Sequence, residues 1–178
     1  MPTIPRVAQV LLGALAITAA AAVPASAATT PNTATTAGYT IHSAATSAAK
    51  CVGLANNGST VNGTNLVLWD CNYDPDQYWY SGADNSLRST ASGYPNGKCV
   101  GLANNGSTAN STELVLWDCH GHNDQQWSWH TLPDGTDALV NTPSAKCVGL
   151  ADNGSTANGT KLVLWDCHLH PDQRWNLA

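Results

Sequence analysis

The sequence repeats itself three times, and nothing else in it restricts the possible folds so strongly. The run Lys-Cys-Val-Gly-Leu-Ala starts at Lys50, again at Lys98 and again at Lys146, an offset of 48 residues each time (98 − 50 and 146 − 98). Each copy continues into Leu-Val-Leu-Trp-Asp-Cys, beginning at Leu66, Leu114 and Leu162, and closes on Asp-Gln-x-Trp, ending at Trp79, Trp127 and Trp175. A unit this short cannot bury a hydrophobic face alone, so the copies must pack on one another. Within a copy the local code is strand and turn. Lys-Cys-Val-Gly-Leu-Ala reads as one strand and Leu-Val-Leu-Trp-Asp-Cys as a second, with Asn-Gly and Gly-Ser pairs between them that suit a tight hairpin. The segment that begins with Gln-x-Trp is a third strand. A fourth precedes each Lys-Cys, at Tyr39–Ser43, Ser86–Thr90 and Ala138–Thr142. Four short strands per copy predict an all-β domain of twelve.

The way these strands close follows by elimination. An open solenoid needs capping repeats, and the last copy ends three residues after Trp175 without one. A propeller of three blades leaves little core, since propellers run to four or more. The remaining solution is a threefold barrel with a hairpin cap, the first copy sealed against the third.

The six Cys follow the same period. If every copy folds alike, each pair closes within its own copy, as Cys51–Cys71, Cys99–Cys119 and Cys147–Cys167. Each bond closes a loop of about 20 residues and is worth roughly 3 kcal/mol in the chain-entropy model. The CxxC-like clusters of zinc thiolates are absent. An oxidising compartment is also what the N-terminus predicts. Val7–Val23 is an almost unbroken apolar run after Arg6, followed by Ala25-Ser26-Ala27. That is a secretory signal over residues 1–27 rather than a membrane span. Residues 28–38 read as a flexible Ala/Thr-rich leader and residues 39–178 as the domain, secreted and extracellular.

Charge limits the partners. The whole chain carries a formal −5 with seven Lys and Arg, a poor match for nucleic-acid phosphates or anionic lipid. Neutral ligands suit this balance, and the expectation is a monomer that binds neither nucleic acid nor membrane.

Cys-Val-x-Leu, Leu-Trp-x-Cys and Gln-x-Trp, three times over, resemble the ricin B-type lectin family, and are similar to the family-13 carbohydrate-binding modules of bacterial glycosidases. The resemblance spans about Tyr39 to Ala178. It implies a β-trefoil with three internal repeats, no cofactor, carbohydrate as partner, and one shallow sugar pocket possible per copy. It places Trp79, Trp127 and Trp175 in the hydrophobic centre, as expected of a domain with seven Trp and no Phe. It gives Trp69, Trp117 and Trp165 the role of stacking on a pyranose, an indole face meeting axial C–H groups. The other reading of these three is a cover for the disulfide.

The polar partners depart from the family pattern. An acid is usual two residues after the first Cys, where this chain has Gly53, Gly101 and Gly149. Gln is frequent two residues before the stacking Trp, where it has Val67, Val115 and Val163. Asp76, Asp124 and Asp172 stand where Asn is frequent. Gln77, Gln125 and Gln173 keep the family's Gln, and Asn72, His120 and His168 keep its Asn or His. Asn56, Asn104 and Asp152 lie in a turn one residue longer than usual, which is expected to carry a side chain into the vacated acid position, Asp152 being the clearest case. Asx-turn chemistry is the alternative for the turn residues, and backbone bonding the alternative for the Gln. His120-x-His122 and His168-x-His170 have a spacing that puts two metal ligands on one face of a strand. The first copy has Asn72 and Asp74 there, and the neighbouring Cys are oxidised, so no metal is expected. Asn-x-Ser/Thr triplets such as Asn57-Gly58-Ser59 coincide with the turns.

Three functions compete. A carbohydrate-binding module gains avidity from repeated weak sites. A glycosidase needs two carboxylates at controlled separation, whereas every candidate Asp recurs threefold and an enzyme site is single, so catalysis is not expected. A protein-binding trefoil, such as an inhibitor of a secreted enzyme, would use an unrepeated loop, with Asp134-Gly135 and Tyr94-Pro95 as candidates.

Overall fold

The computed structural model describes residues 38–178, so the expected secretory signal over residues 1–27 and almost all of the expected leader over residues 28–38 lie outside the described residues. Twelve strands appear, four per copy. They are β1 (Tyr39–Ser43), β2 (Lys50–Leu54), β3 (Thr64–Asp70) and β4 (Tyr78–Ser81), then β5 (Leu87–Ser89), β6 (Cys99–Leu102), β7 (Thr112–Trp117) and β8 (Trp127–Thr131), then β9 (Asp137–Asn141), β10 (Lys146–Leu150), β11 (Leu162–Trp165) and β12 (Trp175–Leu177). The first and last strands of each copy make a closed ring. β12 pairs with β1, β1 with β4, β4 with β5, β8 with β9 and β9 with β12. The β5–β8 side is joined by the Trp127 amide, which donates to the Asn85 carbonyl at 2.8 Å. The hairpins β2/β3, β6/β7 and β10/β11 cap this barrel. They meet where β7 pairs with both β3 and β11, and a bridge between Val67 and Lys161 completes the triangle. This is a β-trefoil, sealed first copy against third as the elimination requires. Pairing around the ring covers most strand edges of the barrel, the β5–β8 side being closed by the single Trp127–Asn85 bond.

The alternation along each strand decides what enters the core. Leu66 and Leu68, with their repeats, are buried, and Val52, Val100 and Val148 face them. Trp79 is 0% and Trp175 1% exposed. Their indole N–H groups donate to the carbonyls of Val52 (3.0 Å) and Val148 (3.3 Å), and Trp127 does the same to Val100 (2.9 Å). The indole N–H groups are thus satisfied, as buried indoles require. All three disulfides close within a copy.

The hairpin turns are not tight. β2 ends at Leu54 and β3 begins only at Thr64. Asn56 and Asn57 both take the left-handed conformation, φ 55° each, which Asn tolerates better than most residues. The connection therefore folds back over the end of the hairpin instead of reversing directly.

A polar clamp that the repeat did not announce joins each copy to the next. The Lys50 ammonium donates to Asp70 (2.8 Å) and to the Asn158 side-chain carbonyl of the third copy (2.6 Å), and the Asn158 amide donates back to Asp70 (2.8 Å). Lys98, Asp118 and Asn62 repeat this between the second and first copies, and Lys146, Asp166 and Asn110 between the third and second. The Asp70 carboxyl is held below its ordinary value by hydrogen bonds from Lys50 and then Asn158, Asp118 by those from Asn62 and Lys98, and Asp166 by those from Asn110 and Lys146. An unfolded Asp titrates near 3.8. The clamp's contribution is therefore complete above that pH and is lost as pH falls through the lower folded values. The melting temperature is expected to drop on acidification from about pH 5 to about pH 2, and a D70N/D118N/D166N variant to drop less. Parallel declines in the two proteins would exclude the clamp as the cause.

Candidate functional site

Each copy carries a cleft, and each cleft lies at a seam. The first is lined by Trp69, Asn72, Asp76 and the turn from Ala55 to Gly58, and is completed by Gly159 and Lys161 of the third copy. The second is lined by Trp117, His120, His122 and Asp124 and completed by Gly63 and Asn65 of the first. The third is lined by Trp165, His168, His170 and Asp172 and completed by Ser111 and Glu113 of the second. Their volumes are about 500, 730 and 900 Å³ respectively, within the range of small-ligand sites.

The three indoles are open to solvent. Trp69, Trp117 and Trp165 are 47%, 45% and 40% exposed, so they do not serve as buried disulfide covers. They sit at or just inside the ends of β3, β7 and β11, where the alternation that buries Leu68 turns its successor outward. A glycine of the neighbouring copy keeps one side of Trp117 and of Trp69 clear, whereas Ser111 holds the equivalent position in the third cleft. A Cβ added at Gly63 would meet Trp117 Cζ3 at 3.7 Å, and one at Gly159 would meet Trp69 Cζ3 at 3.8 Å.

The missing acid is present, supplied from elsewhere in the chain. A Cβ added at Gly53 would stand 3.0 Å from Oδ2 of Asp76, and the corresponding distance is 3.1 Å from Gly101 to Asp124. At Gly149 the nearest atoms are Cγ of Gln173 at 2.9 Å and Oδ2 of Asp172 at 3.4 Å. The Asp of Asp-Gln-x-Trp thus occupies the place that a side chain at the glycine would need. The long turn covers it from the other side. A Cβ at Gly58 (φ +74°) would lie 3.0 Å from the Asp76 Cβ. Gly53 and Gly58 together make the slot in which this carboxylate sits.

The expectation for the turn is corrected accordingly. The space beside Gly149 is filled by Asp172 and Gln173, and Asp152 stays on the exposed rim of the same cleft, as do Asn56 and Asn104 in theirs. All three turn residues are held in the left-handed conformation. Burial pushes the Asp76 carboxyl above the ordinary range, and the Leu54 amide donating to Oδ2 at 3.3 Å partly offsets this.

Gln77, Gln125 and Gln173 also sit differently from the expected ligand contacts. They are 1%, 1% and 0% exposed. Gln77 donates to the Asp70 carbonyl (2.9 Å) and accepts from the amides of Asn72 (2.9 Å) and Tyr73 (3.1 Å). Gln173 binds the Asp166 loop in the same way, and Gln125 donates to the Asp118 carbonyl and accepts from the His120 amide. Their amides hold the loop that presents Asn72, His120 and His168, and a side chain so committed positions the site instead of touching a ligand.

That loop fixes the imidazoles. The His122 backbone N–H donates to Nδ1 of His120 at 3.3 Å, and the His170 N–H to Nδ1 of His168 at 3.2 Å. A neutral ring that accepts at Nδ1 carries its proton on Nε2. Those Nε2 atoms lie 3.8 Å from Asp124 and 3.9 Å from Asp172. A donor and a carboxylate acceptor side by side suit two neighbouring hydroxyls. In the first copy Asn72 takes the same backbone contact, from the Asp74 N–H at 3.1 Å. The His pairs lie on the loop after the strand and not on a strand face. Each nevertheless converges with an Asp, and the ligand atoms of His120, His122 and Asp124, and of His168, His170 and Asp172, all fall within 4.8 Å of one another.

One part of the site went unseen. Asn65, Glu113 and Lys161 occupy the same position of the three copies and meet at the centre of the cap. Glu113 accepts from the Asn65 amide at 2.9 Å and from the Lys161 ammonium at 2.6 Å. Hydrogen bonding from Lys161 holds the Glu113 carboxyl below its usual range. The signal available was that the chain's one Glu stands in an otherwise faithful repeat. The unrepeated loops lie apart from the clefts. Asp134 is tied to Arg174 and Thr136, and exposed Tyr94 packs edge-on against Tyr80 at 5.0 Å.

Comparison with known proteins agrees with this geometry. No curated protein matches in a sequence search. Among solved structures, the designed threefold-symmetric protein ThreeFoil is 25% identical with a TM-score of 0.69, over 79% of this chain and 96% of that one. The ricin B-like lectin of Macrolepiota procera, solved in complex with lactose, is 17% identical with a TM-score of 0.61, over 78% and 92%. An exo-β-1,3-galactanase from Clostridium thermocellum is 20% identical with a TM-score of 0.70, over 79% of this chain but only 30% of that one. The profile of the ricin-type β-trefoil lectin domain matches residues 37–176. With its Gln-x-Trp repeats, one disulfide per copy and three seam clefts, the chain belongs to the ricin-type β-trefoil lectin domain family.

Proposed function

We propose that this protein is a secreted carbohydrate-binding module that holds glycans or polysaccharides at its three seam clefts, without catalysis. The observation that carries the reading is an exposed indole and a slotted Asp lining one cleft, repeated in all three copies. The indole provides a flat apolar face for a sugar ring, and the carboxylate accepts from hydroxyls at its edge. The lactose complex of the Macrolepiota procera lectin is a further support by analogy. Only the Asp76, Asp124 and Asp172 position supplies a carboxylate to all three clefts. The other acids on their walls (Asp74, Glu113, Asp152) differ from cleft to cleft, so the paired carboxylates that glycoside cleavage takes do not recur with the repeat. Secretion rests on the signal-like segment over residues 1–27.

The test is depletion of the mature protein, recovered from culture medium with its N-terminus at Ala28, by insoluble xylan, arabinan, galactan and cell-wall material, alongside a glycan array. Retention on at least one polymer that is reversed by its soluble fragments is expected. A flat array together with no depletion on any polymer would end the proposal.

A further inference from the structure

The second and third clefts contain a grouping the first lacks. Two imidazoles and a carboxylate converge in each, with the same residues at the same spacing, His-x-His-x-Asp. Their ligand atoms lie within 4.8 Å of one another. The paired rings stand 4.6 Å apart, tilted by 49° in one cleft and 46° in the other. Nitrogen and oxygen ligands about 2.0–2.2 Å from one zinc ion are separated by roughly 3–3.5 Å. An inward movement of little more than an ångström closes the set, and the histidines are exposed enough to make it. Among the described residues, the rings of His122 and His170 make no hydrogen bond to any protein group.

From this we propose that each of these two clefts holds one divalent transition-metal ion of the kind that prefers imidazole, such as zinc or nickel. His120, His122 and Asp124 are the ligands in one, and His168, His170 and Asp172 in the other. Two imidazoles with one carboxylate suit this class better than calcium or magnesium, which take oxygen ligands. Three protein ligands on an open cleft leave the remaining positions to water. The oxidised cysteines nearby are not needed, because the carboxylate supplies the third ligand. The first cleft has Asn72, Asp74 and Asp76 in these places, with no imidazole, and Asn72 already donates to Asp74 at 2.8 Å. The expected stoichiometry is therefore two ions per chain.

The tautomer sets the strength. His120 and His168 accept backbone N–H groups at Nδ1. To offer the Nε2 lone pair, each ring must carry its proton on Nδ1 instead and release contacts of 3.3 and 3.2 Å, near the long end of the hydrogen-bond range. This conversion opposes binding, so the site is expected to hold its ion more weakly than one whose imidazoles need no change of tautomer.

The inference stands whether or not the clefts take sugar, and its test uses the metal alone. Untagged, chelator-washed protein is titrated calorimetrically with zinc chloride, and copper(II) broadening of the histidine ring signals is followed by NMR. Two ions per chain are expected, with the signals of His120, His122, His168 and His170 broadened while His42 and His130 stay sharp. The H122A/H170A variant, altered only at exposed positions, is expected to bind at least tenfold more weakly with an unchanged circular dichroism spectrum. No binding by about 1 mM zinc, three equivalent sites, or full retention of binding in H122A/H170A would each overturn the proposal.

Discussion

Replacing Trp79 with Ala is expected to leave a large fraction of the chain unfolded at room temperature. The indole is 0% exposed and packs in the single core cluster that all three copies share. Truncating a buried Trp to Ala costs about 3–5 kcal/mol. The substitution also strands the Val52 carbonyl, which now accepts from the indole at 3.0 Å, and an orphaned buried acceptor costs about 1–3 kcal/mol more. Whole domains have roughly 5–15 kcal/mol in total. W79F keeps most of the apolar contact and loses only the donor, so its loss should be distinctly smaller. Urea unfolding followed by circular dichroism measures both, with the disulfides intact. A W79A midpoint shifted by less than the equivalent of about 1 kcal/mol would show that the core does not depend on this residue.

The opposite pattern is expected at the exposed indoles. W69A, W117A and W165A remove side chains that are 47%, 45% and 40% exposed, and each should change stability by no more than about 1 kcal/mol. Binding to a polymer should respond strongly. Linked weak sites gain about 10²–10⁴-fold from simultaneous engagement. Each single variant removes one site and part of that gain, and the triple variant removes stacking everywhere. The triple variant is expected to lose at least about 100-fold in apparent affinity for whichever polymer the wild type retains, with its melting curve nearly unchanged. The depletion assay described for the wild type measures it. Full retention by the triple variant would remove the indoles from the binding account.

These two outcomes separate residues that a sequence alone can sort by position within the repeat. A period of one copy with strand-like alternation was enough to derive twelve strands, three internal disulfides and a closed ring, because each inference needed only equivalence between copies. The inward Trp of Gln-x-Trp was expected from core filling in a domain without Phe, whereas the outward role of the Trp before Asp-Cys came from the family resemblance, with a disulfide cover as the other reading. What escaped depends on the path of the chain between elements. Nothing in the spacing says that Asp76 folds into the space left by Gly53, since that takes the route of the Ala55–Gly58 turn above it. The turn itself looked tight because Asn-Gly is a hairpin signal, yet consecutive left-handed residues there extend it. Gln77 looked like a ligand contact because its family position is polar. Its burial becomes visible only once the Asp70 carbonyl and the Asn72 amide are seen to saturate it. The Lys50, Asp70 and Asn158 clamp is invisible to any reading confined to one copy.

The small cluster of Asn65, Glu113 and Lys161 carries a consequence for how such a protein can change. Glu113 borders both the second and the third cleft, Lys161 the third and the first, and Asn65 the first and the second. Mutation at any of these three alters two neighbours together, whereas mutation at Asn72, His120 or His168 alters one. Independent divergence of the binding surfaces is thus open along the outer loops and coupled at the hub, so a lineage tuning one specificity through the hub carries a second along with it.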